Sequence, residues 1–202
     1  MLYWLSFALE TCWGPFRLLR SHAMLLAIGT LMAAFCVWGF LPKIWRMLPH
    51  DHGKAILGKD GMQSAGKPTG GGFFVTLATL PAVILAMPLS IQDLGVLLFL
   101  YFAMSCGFAD DASEQPWGQL KKGLFDLAVS LGAAFFLWTG HGSEIWLPFV
   151  KGVWTVPWYL YVPAAAFLLW FTMNATNCSD GVDGLAGSLT LITLIVMATF
   201  LY

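Results

Sequence analysis

Long apolar runs dominate the chain. Six of them are long enough, or nearly so, for a helix to cross a hydrocarbon layer about 30 Å thick, which takes roughly 20 residues. They are Ser21–Pro42, Gly72–Ser90, Asp93–Asp111, Gly123–Gly140, Val156–Met173 and Gly184–Tyr202. The first carries no charge and continues into Lys43 and Arg46, spaced so that both reach one interface. Pro81 and Pro163 fall inside the second and fifth runs, and Pro81 is expected to kink its helix. The third reaches roughly 28 Å as a helix, so both its ends sit at interfaces. Met1–Trp13 is too short and too interrupted to span and is expected to lie along the interface. The pattern predicts an all-α fold, a polytopic membrane helix bundle of about six transmembrane helices with a short N-terminal interfacial segment.

Composition agrees. The chain is 58% hydrophobic and 10% charged, with a mean hydropathy of +0.74. A soluble domain carries roughly 25% charged residues. A soluble globular domain, a disordered chain, a collagen and a disulfide scaffold are thereby excluded. A net charge of −1 supplies no basic field for nucleic acid. Cys12, Cys36, Cys106 and Cys178 show no metal-ligand or redox spacing and read as small hydrophobes. Met1–Leu9 lacks a basic lead and a small-residue cleavage site, so it is not read as a cleaved signal.

Lysines and arginines set the orientation. Lys43, Arg46, Lys54, Lys59 and Lys67 follow the first span, and Lys121 and Lys122 follow the third. If each helix crosses once, these seven share one side, against Arg17, Arg20 and Lys151 on the other. The N-terminus is then expected outside and the basic loops in the cytoplasm. Three unusual polar stretches fall together on that cytoplasmic face. Gly66–Gly72 enters the second span, Gly107–Asp111 ends the third, and Asn174–Gly184 joins the fifth and sixth. No internal repeat suggests a solenoid or an inverted-repeat transporter.

Each stretch has a plain reading beside a chemical one. Asp110 and Asp111 sit where the helix dipole is negative, which disfavours carboxylates. They either stop the span, cap the next helix, or form a divalent-metal or phosphate site. In Asn174–Gly184 two asparagines lie three apart, then two aspartates lie three apart. Capping by Ser179 or Asp180 explains one or two of these polar residues, and a ligand site explains more. Gly66–Gly72 is either a flexible helix entry or a cradle of N–H groups for an anion. It is not a Walker loop, because Lys67 precedes the glycines. His50 and His52 read as a solvated loop. Lys122 and Asp126, four apart, read as an intrahelical pair, with a phosphate contact by Lys121 or Lys122 as the alternative.

Taken together, Asp110, Asp111, Asp180 and Asp183 would gather at one surface. Bare carboxylates repel phosphate, so they serve a phosphorylated substrate through Mg²⁺ or a similar hard cation. Acidic, glycine-rich and basic elements beside a bilayer suggest a water-soluble phosphorylated donor meeting a lipid-borne acceptor.

At these three motifs the chain resembles the phospho-N-acetylmuramoyl-pentapeptide transferases, within the polyprenyl-phosphate N-acetylhexosamine-1-phosphate transferase superfamily. That family has a Gly-Thr-Pro-Thr-Met-Gly-Gly-like entry to span two and Gly-Phe-x-Asp-Asp at the end of span three. It has Asn-Ala-x-Asn-x-Thr-Asp-Gly-x-Asp-Gly-Leu-Ala between spans five and six. Here these stand at Gly66–Gly72, Gly107–Asp111 and Asn174–Ala186. Met1–Leu5, Phe16-Arg17, Pro68-Thr69 and Ser179 also look like the muramoyl-pentapeptide branch.

The resemblance implies a reaction. A phosphate oxygen of undecaprenyl phosphate attacks the β-phosphorus of UDP-N-acetylmuramoyl-pentapeptide, UMP leaves, and the lipid-linked sugar stays in the membrane. It implies Mg²⁺ as cofactor and Asp110, Asp111 and Asp180 as catalytic residues. Asp110 and Asp111 would also hold the metal. Lys67, Thr69, Lys122, Asn174, Asn177, Gly181 and Asp183 would bind substrate. It implies the bacterial inner membrane, an active site on the cytoplasmic face, membrane lipids as partners and no nucleic acid, and leaves a homodimer open. A general-base role for Asp110 is held loosely, since a phosphate monoester with a second pKa of about 6 is mostly ionised at pH 7.

Three departures stand out. Glu114 and Ser64 occupy positions where the family has lysine, and Lys67 sits where threonine is usual. The family has about ten spans, so residues 1–202 are expected to be a single transmembrane domain forming the N-terminal part of a larger transferase, inactive alone. A related UDP-N-acetylhexosamine transferase, a non-catalytic scaffold and a cation-linked transporter are the alternatives. The transporter ranks last because its charges belong near the bilayer midplane.

Overall fold

The computed structural model describes residues 1–45, 48–50, 66, 68–113, 117–146, 152–179 and 184–201. Its helices are α1 (Leu2–Leu9), a 3-10 turn (Gly14–Arg20), α2 (His22–Ile44), α3 (Gly71–Ala86), α4 (Ile91–Asp111), α5 (Gln119–His141), α6 (Trp158–Ser179) and α7 (Leu185–Leu201). Each of the six apolar runs is helical. Three helices, α2, α4 and α5, are long and apolar enough to cross a membrane, and α3 and α7 are shorter apolar helices. Glu144–Trp146 and Val153–Thr155 add a two-stranded antiparallel hairpin, β1–β2, that the apolar pattern does not announce.

The chain divides into two compact units, Met1–Lys122 and Gly123–Tyr202. In the first, α2 packs on α3 along a seam of small residues. Ala78, Ala82 and Ala86 are buried at four-residue spacing on α3. A Cβ on Gly29 would meet the Ala86 Cβ at 2.8 Å, so glycine is what lets the two backbones close. Lipid tails are as apolar as leucine, so helices in a bilayer associate through such close contact rather than through water exclusion. The bulky side chains point outward instead: Leu31, Phe35 and Trp38 form an exposed stripe on α2, with Trp38 at 74%. This inside-out arrangement belongs to a helix bundle whose surroundings are hydrocarbon.

Pro81 and Pro163 lie inside α3 and α6. α4 begins with a capping box, in which the Ser90 side chain accepts from the Asp93 N–H and the Ser90 N–H donates to the Asp93 carboxylate. At the N-terminus, Arg20 donates to Ser6 Oγ at 3.3 Å, pairs with Glu10, and lies 3.8 Å from the centre of the Phe7 ring. This clamp folds the 3-10 turn back on α1.

In the second unit, Ala134 of α5 and Ala166 of α6 are 0% and 1% exposed, again small residues in the interior. The Trp170 indole N–H donates to the Gly123 carbonyl at 3.0 Å, and the Ser130 hydroxyl lies 3.7 Å from the Met173 sulfur. α6 runs six residues past the expected end of the fifth span, so Asn174, Thr176 and Asn177 are helical. Short polar side chains make this possible by returning hydrogen bonds to their own helix. Asn174 donates to the Trp170 carbonyl at 2.8 Å, and Thr176 donates to the Thr172 carbonyl at 2.8 Å. Ser179 therefore closes α6 rather than capping α7.

Candidate functional site

Within the first unit the structure brings two of the three motifs together. The Thr69 N–H donates to the Pro49 carbonyl at 2.8 Å, and His50 bridges to Pro68, so the glycine-rich entry is pinned against the segment after α2. Gly70 then turns the chain into α3 with φ of 73°. A Cβ there would lie 2.7 Å from the Phe108 ring, so both the backbone conformation and the space exclude a side chain. Phe108 belongs to the Gly107–Asp111 motif. Its ring stacks on Phe73 at 4.8 Å and meets Phe74 edge-on at 5.3 Å. One aromatic side chain thus locks the end of α4 to the start of α3. The Tyr101 hydroxyl donates to the Thr76 carbonyl at 2.8 Å and ties the same two helices deeper in.

This lock carries Asp110 and Asp111 to the same end of the bundle as Thr69 and Gly70. Asp110 is largely covered, its side chain 14% exposed. One carboxylate oxygen accepts the Trp117 backbone N–H at 2.7 Å, and the other accepts the Lys122 ammonium at 3.1 Å. The Trp117 ring carries the Lys121 ammonium 3.7 Å above its centre. Asp111, the last residue of α4, is exposed. The pairing of Lys122 differs from the local expectation. Lys122 is held by Asp110, twelve residues upstream, while Asp126 is buried in α5 at 8% exposure. A helix-spacing rule sees i,i+4 neighbours and misses a partner on the preceding helix.

The polarity of this pair is unusual. Asp110 lies in the last turn of α4, at the negative pole of its helix. Lys122 lies at the start of α5, at the positive pole of its own. Each charge opposes its own helix dipole, and each is offset by the other.

The third motif begins in the second unit, where Asn174 is half-buried and Asn177 exposed on the last turns of α6. Lys67, Asp180, Gly181 and Asp183 lie outside the described residues. Among the described residues, no group of three or more His, Cys, Asp or Glu gathers to hold a metal ion. Asp110 and Asp111 remain adjacent hard oxygen donors. They fit an ion such as Mg²⁺, which takes one or two carboxylates and completes its shell with phosphate and water. Phe108 and Trp117 were not legible as site residues from spacing. The signal for Phe108 was its place inside the Gly-Phe-x-Asp-Asp motif, opposite the Phe73-Phe74 pair.

Comparison with known proteins gives a consistent family picture. Residues 93–202, over half of the chain, match the family described as glycosyl transferase family 4. The chain is 38% identical over 208 aligned positions to the phospho-N-acetylmuramoyl-pentapeptide-transferase of Treponema pallidum (strain Nichols), covering 100% of this chain and 56% of that protein. The protein of the same name from Moorella thermoacetica is 32% identical over 178 positions, covering 83% and 54%. The one from Clostridium acetobutylicum is 32% identical over 144 positions, covering 67% and 45%. The chain spans about half the length of the curated relatives it matches.

Proposed function

The chain belongs to glycosyl transferase family 4, in its phospho-N-acetylmuramoyl-pentapeptide-transferase branch, and from that premise we propose that it takes part in transferring a sugar phosphate from a UDP-linked donor to a polyprenyl phosphate. The donor is UDP-N-acetylmuramoyl-pentapeptide and the acceptor undecaprenyl phosphate. The acceptor's phosphate oxygen forms a bond to the donor's β-phosphorus, the bond from that phosphorus to the bridging oxygen breaks, and UMP departs with the electron pair. Six helices cross the bacterial inner membrane, the N-terminus lies outside, and the reacting groups sit at the cytoplasmic interface.

The observation that supports this reading is the Gly70–Phe108 contact. It holds an N–H-rich helix entry and an aspartate pair at one end of the bundle, with Lys122 alongside. Thr69 and Lys67 flank the entry and bind donor phosphate together with Lys122. Asn174, Asn177, Gly181 and Asp183 hold the nucleotide sugar, and Asp180 acts with the aspartate pair. Asp110 and Asp111 offer oxygens to Mg²⁺, which when bound neutralises charge developing on the phosphates. The acceptor is mostly ionised near pH 7, so its attack does not depend on a protein base.

The test is UMP release by purified full-length protein in lipid nanodiscs, given UDP-N-acetylmuramoyl-pentapeptide, undecaprenyl phosphate and Mg²⁺. Asp111→Asn should lower turnover by about 10²-fold or more, the range for removing one charge-stabilising group. Full turnover in that variant overturns the assignment. Turnover with UDP-N-acetylglucosamine instead of the muramoyl donor would move the protein to the sister activity.

A further inference from the structure

The two aspartates of the α4 end are chemically unlike in this structure. Asp111 is exposed. Asp110 is covered, and each of its carboxylate oxygens already accepts a donor, the Trp117 N–H at 2.7 Å and the Lys122 ammonium at 3.1 Å. Its own carbonyl accepts the Ser113 hydroxyl at 2.7 Å and the Ser113 N–H at 3.2 Å. Asp110 is therefore a fastening point between the end of α4 and the entry of α5. It fixes Lys122, a long and flexible side chain whose ammonium carries three donors, one of which Asp110 uses. Lys122 is partly exposed, at 28% of its side chain, so its remaining donors are within reach of a ligand. Neither charge favours its own helix, so helix stability does not explain the placement of either one.

We infer that Asp110 is a positioning residue that aims Lys122 at a phosphate group, while Asp111 is the carboxylate that meets the cation. This rests on the proposed phosphoryl-transfer reading, which supplies the phosphate. The division of labour has a physical basis. A cation arriving at Asp110 would have to displace an ammonium and compete with a backbone N–H. At Asp111 it meets an exposed carboxylate at the negative pole of a helix.

A double-mutant cycle separates the roles. Full-length protein is prepared as Asp110→Asn, Lys122→Met, the double variant and Asp111→Asn. Two equilibrium readouts are taken without turnover: binding of decyl phosphate, and binding of Mn²⁺ followed by electron paramagnetic resonance. Asp110→Asn keeps an oxygen for the Trp117 N–H and loses the charge that holds Lys122. The expected result is about tenfold weaker decyl phosphate binding in each single variant, as for loss of one charge-assisted contact. The double variant should be no weaker than the worse single, within about twofold. Mn²⁺ affinity should fall in Asp111→Asn and stay within about twofold of wild type in Asp110→Asn. Where turnover is measured, Asp110→Asn should raise KM for the lipid acceptor more than it lowers kcat. Multiplying losses in the cycle, or loss of Mn²⁺ binding in Asp110→Asn equal to that in Asp111→Asn, would overturn the inference. A general fold defect in Asp110→Asn would show as lost Mn²⁺ binding and so counts against it. Absence of UMP release by the wild type would overturn the transferase reading alone, because the two binding readouts still decide the role of Asp110.

Discussion

The two polar regions of this chain are held in opposite ways. In the first unit, the glycine-rich entry and the aspartate pair are fixed by contacts between elements far apart in sequence: Phe108 on Gly70 and Phe73, Thr69 on Pro49, Lys122 on Asp110. In the second, the asparagine segment is fixed by its own helix, with Asn174 and Thr176 returning bonds to carbonyls four residues back. The first region is shaped by tertiary structure and the second by secondary structure. Polar groups at a membrane boundary need partners in either case. A helix can supply them locally, but local bonds leave a group's position relative to a neighbouring helix unset.

Substitutions can break or sharpen this contrast. Gly70→Val should have the largest effect. A branched residue at φ of 73° costs about 1–2 kcal/mol, and forcing the Phe108 ring aside costs about 1–3 kcal/mol more. A thermal melt of the purified protein in nanodiscs measures the sum. A loss under about 1 kcal/mol would mean the entry is not pinned as described. Gly29→Val, at the opposite end of α3, should cost about 2 kcal/mol by opening the α2–α3 seam. It serves as a control, since it should lower the melting temperature while leaving UDP-sugar affinity unchanged. Phe108→Leu keeps apolar volume but loses the stacked ring, and about 1 kcal/mol of stability should go with it. Asn174→Ala should cost least, under about 0.5 kcal/mol, because its bond is a local one on a helix near the interface. If the melts of Asn174→Ala and Phe108→Leu coincide, the contrast between the two regions fails.

The same contrast explains what could be read from the chain beforehand. The six helical runs were legible because a bilayer imposes a length on any apolar segment that crosses it. The ends were less so. Asn174–Ser179 looks like a loop from its polarity, yet it continues α6 because amide and hydroxyl groups find carbonyls within the helix. The β1–β2 hairpin escaped notice because each strand is three residues long, too short to show alternation. The aspartate pair and the glycine entry were each legible as motifs. Their contact through Phe108 was not, because nothing in linear spacing links position 70 to position 108. Lys122 shows the limit most clearly. The local rule assigned it to Asp126, and the fold gave it to Asp110.

The alanine face of α3 has a mechanical corollary. Where two rods meet through methyl groups and a bare backbone, the joint's width is set by covalent geometry and cannot be widened without losing nearly all its grip. Tail length or unsaturation in the surrounding lipid can vary, and the rings of Phe35 and Trp38 can rotate to follow it. The spacing between α2 and α3, and with it the footing of everything built at their inner end, stays the same.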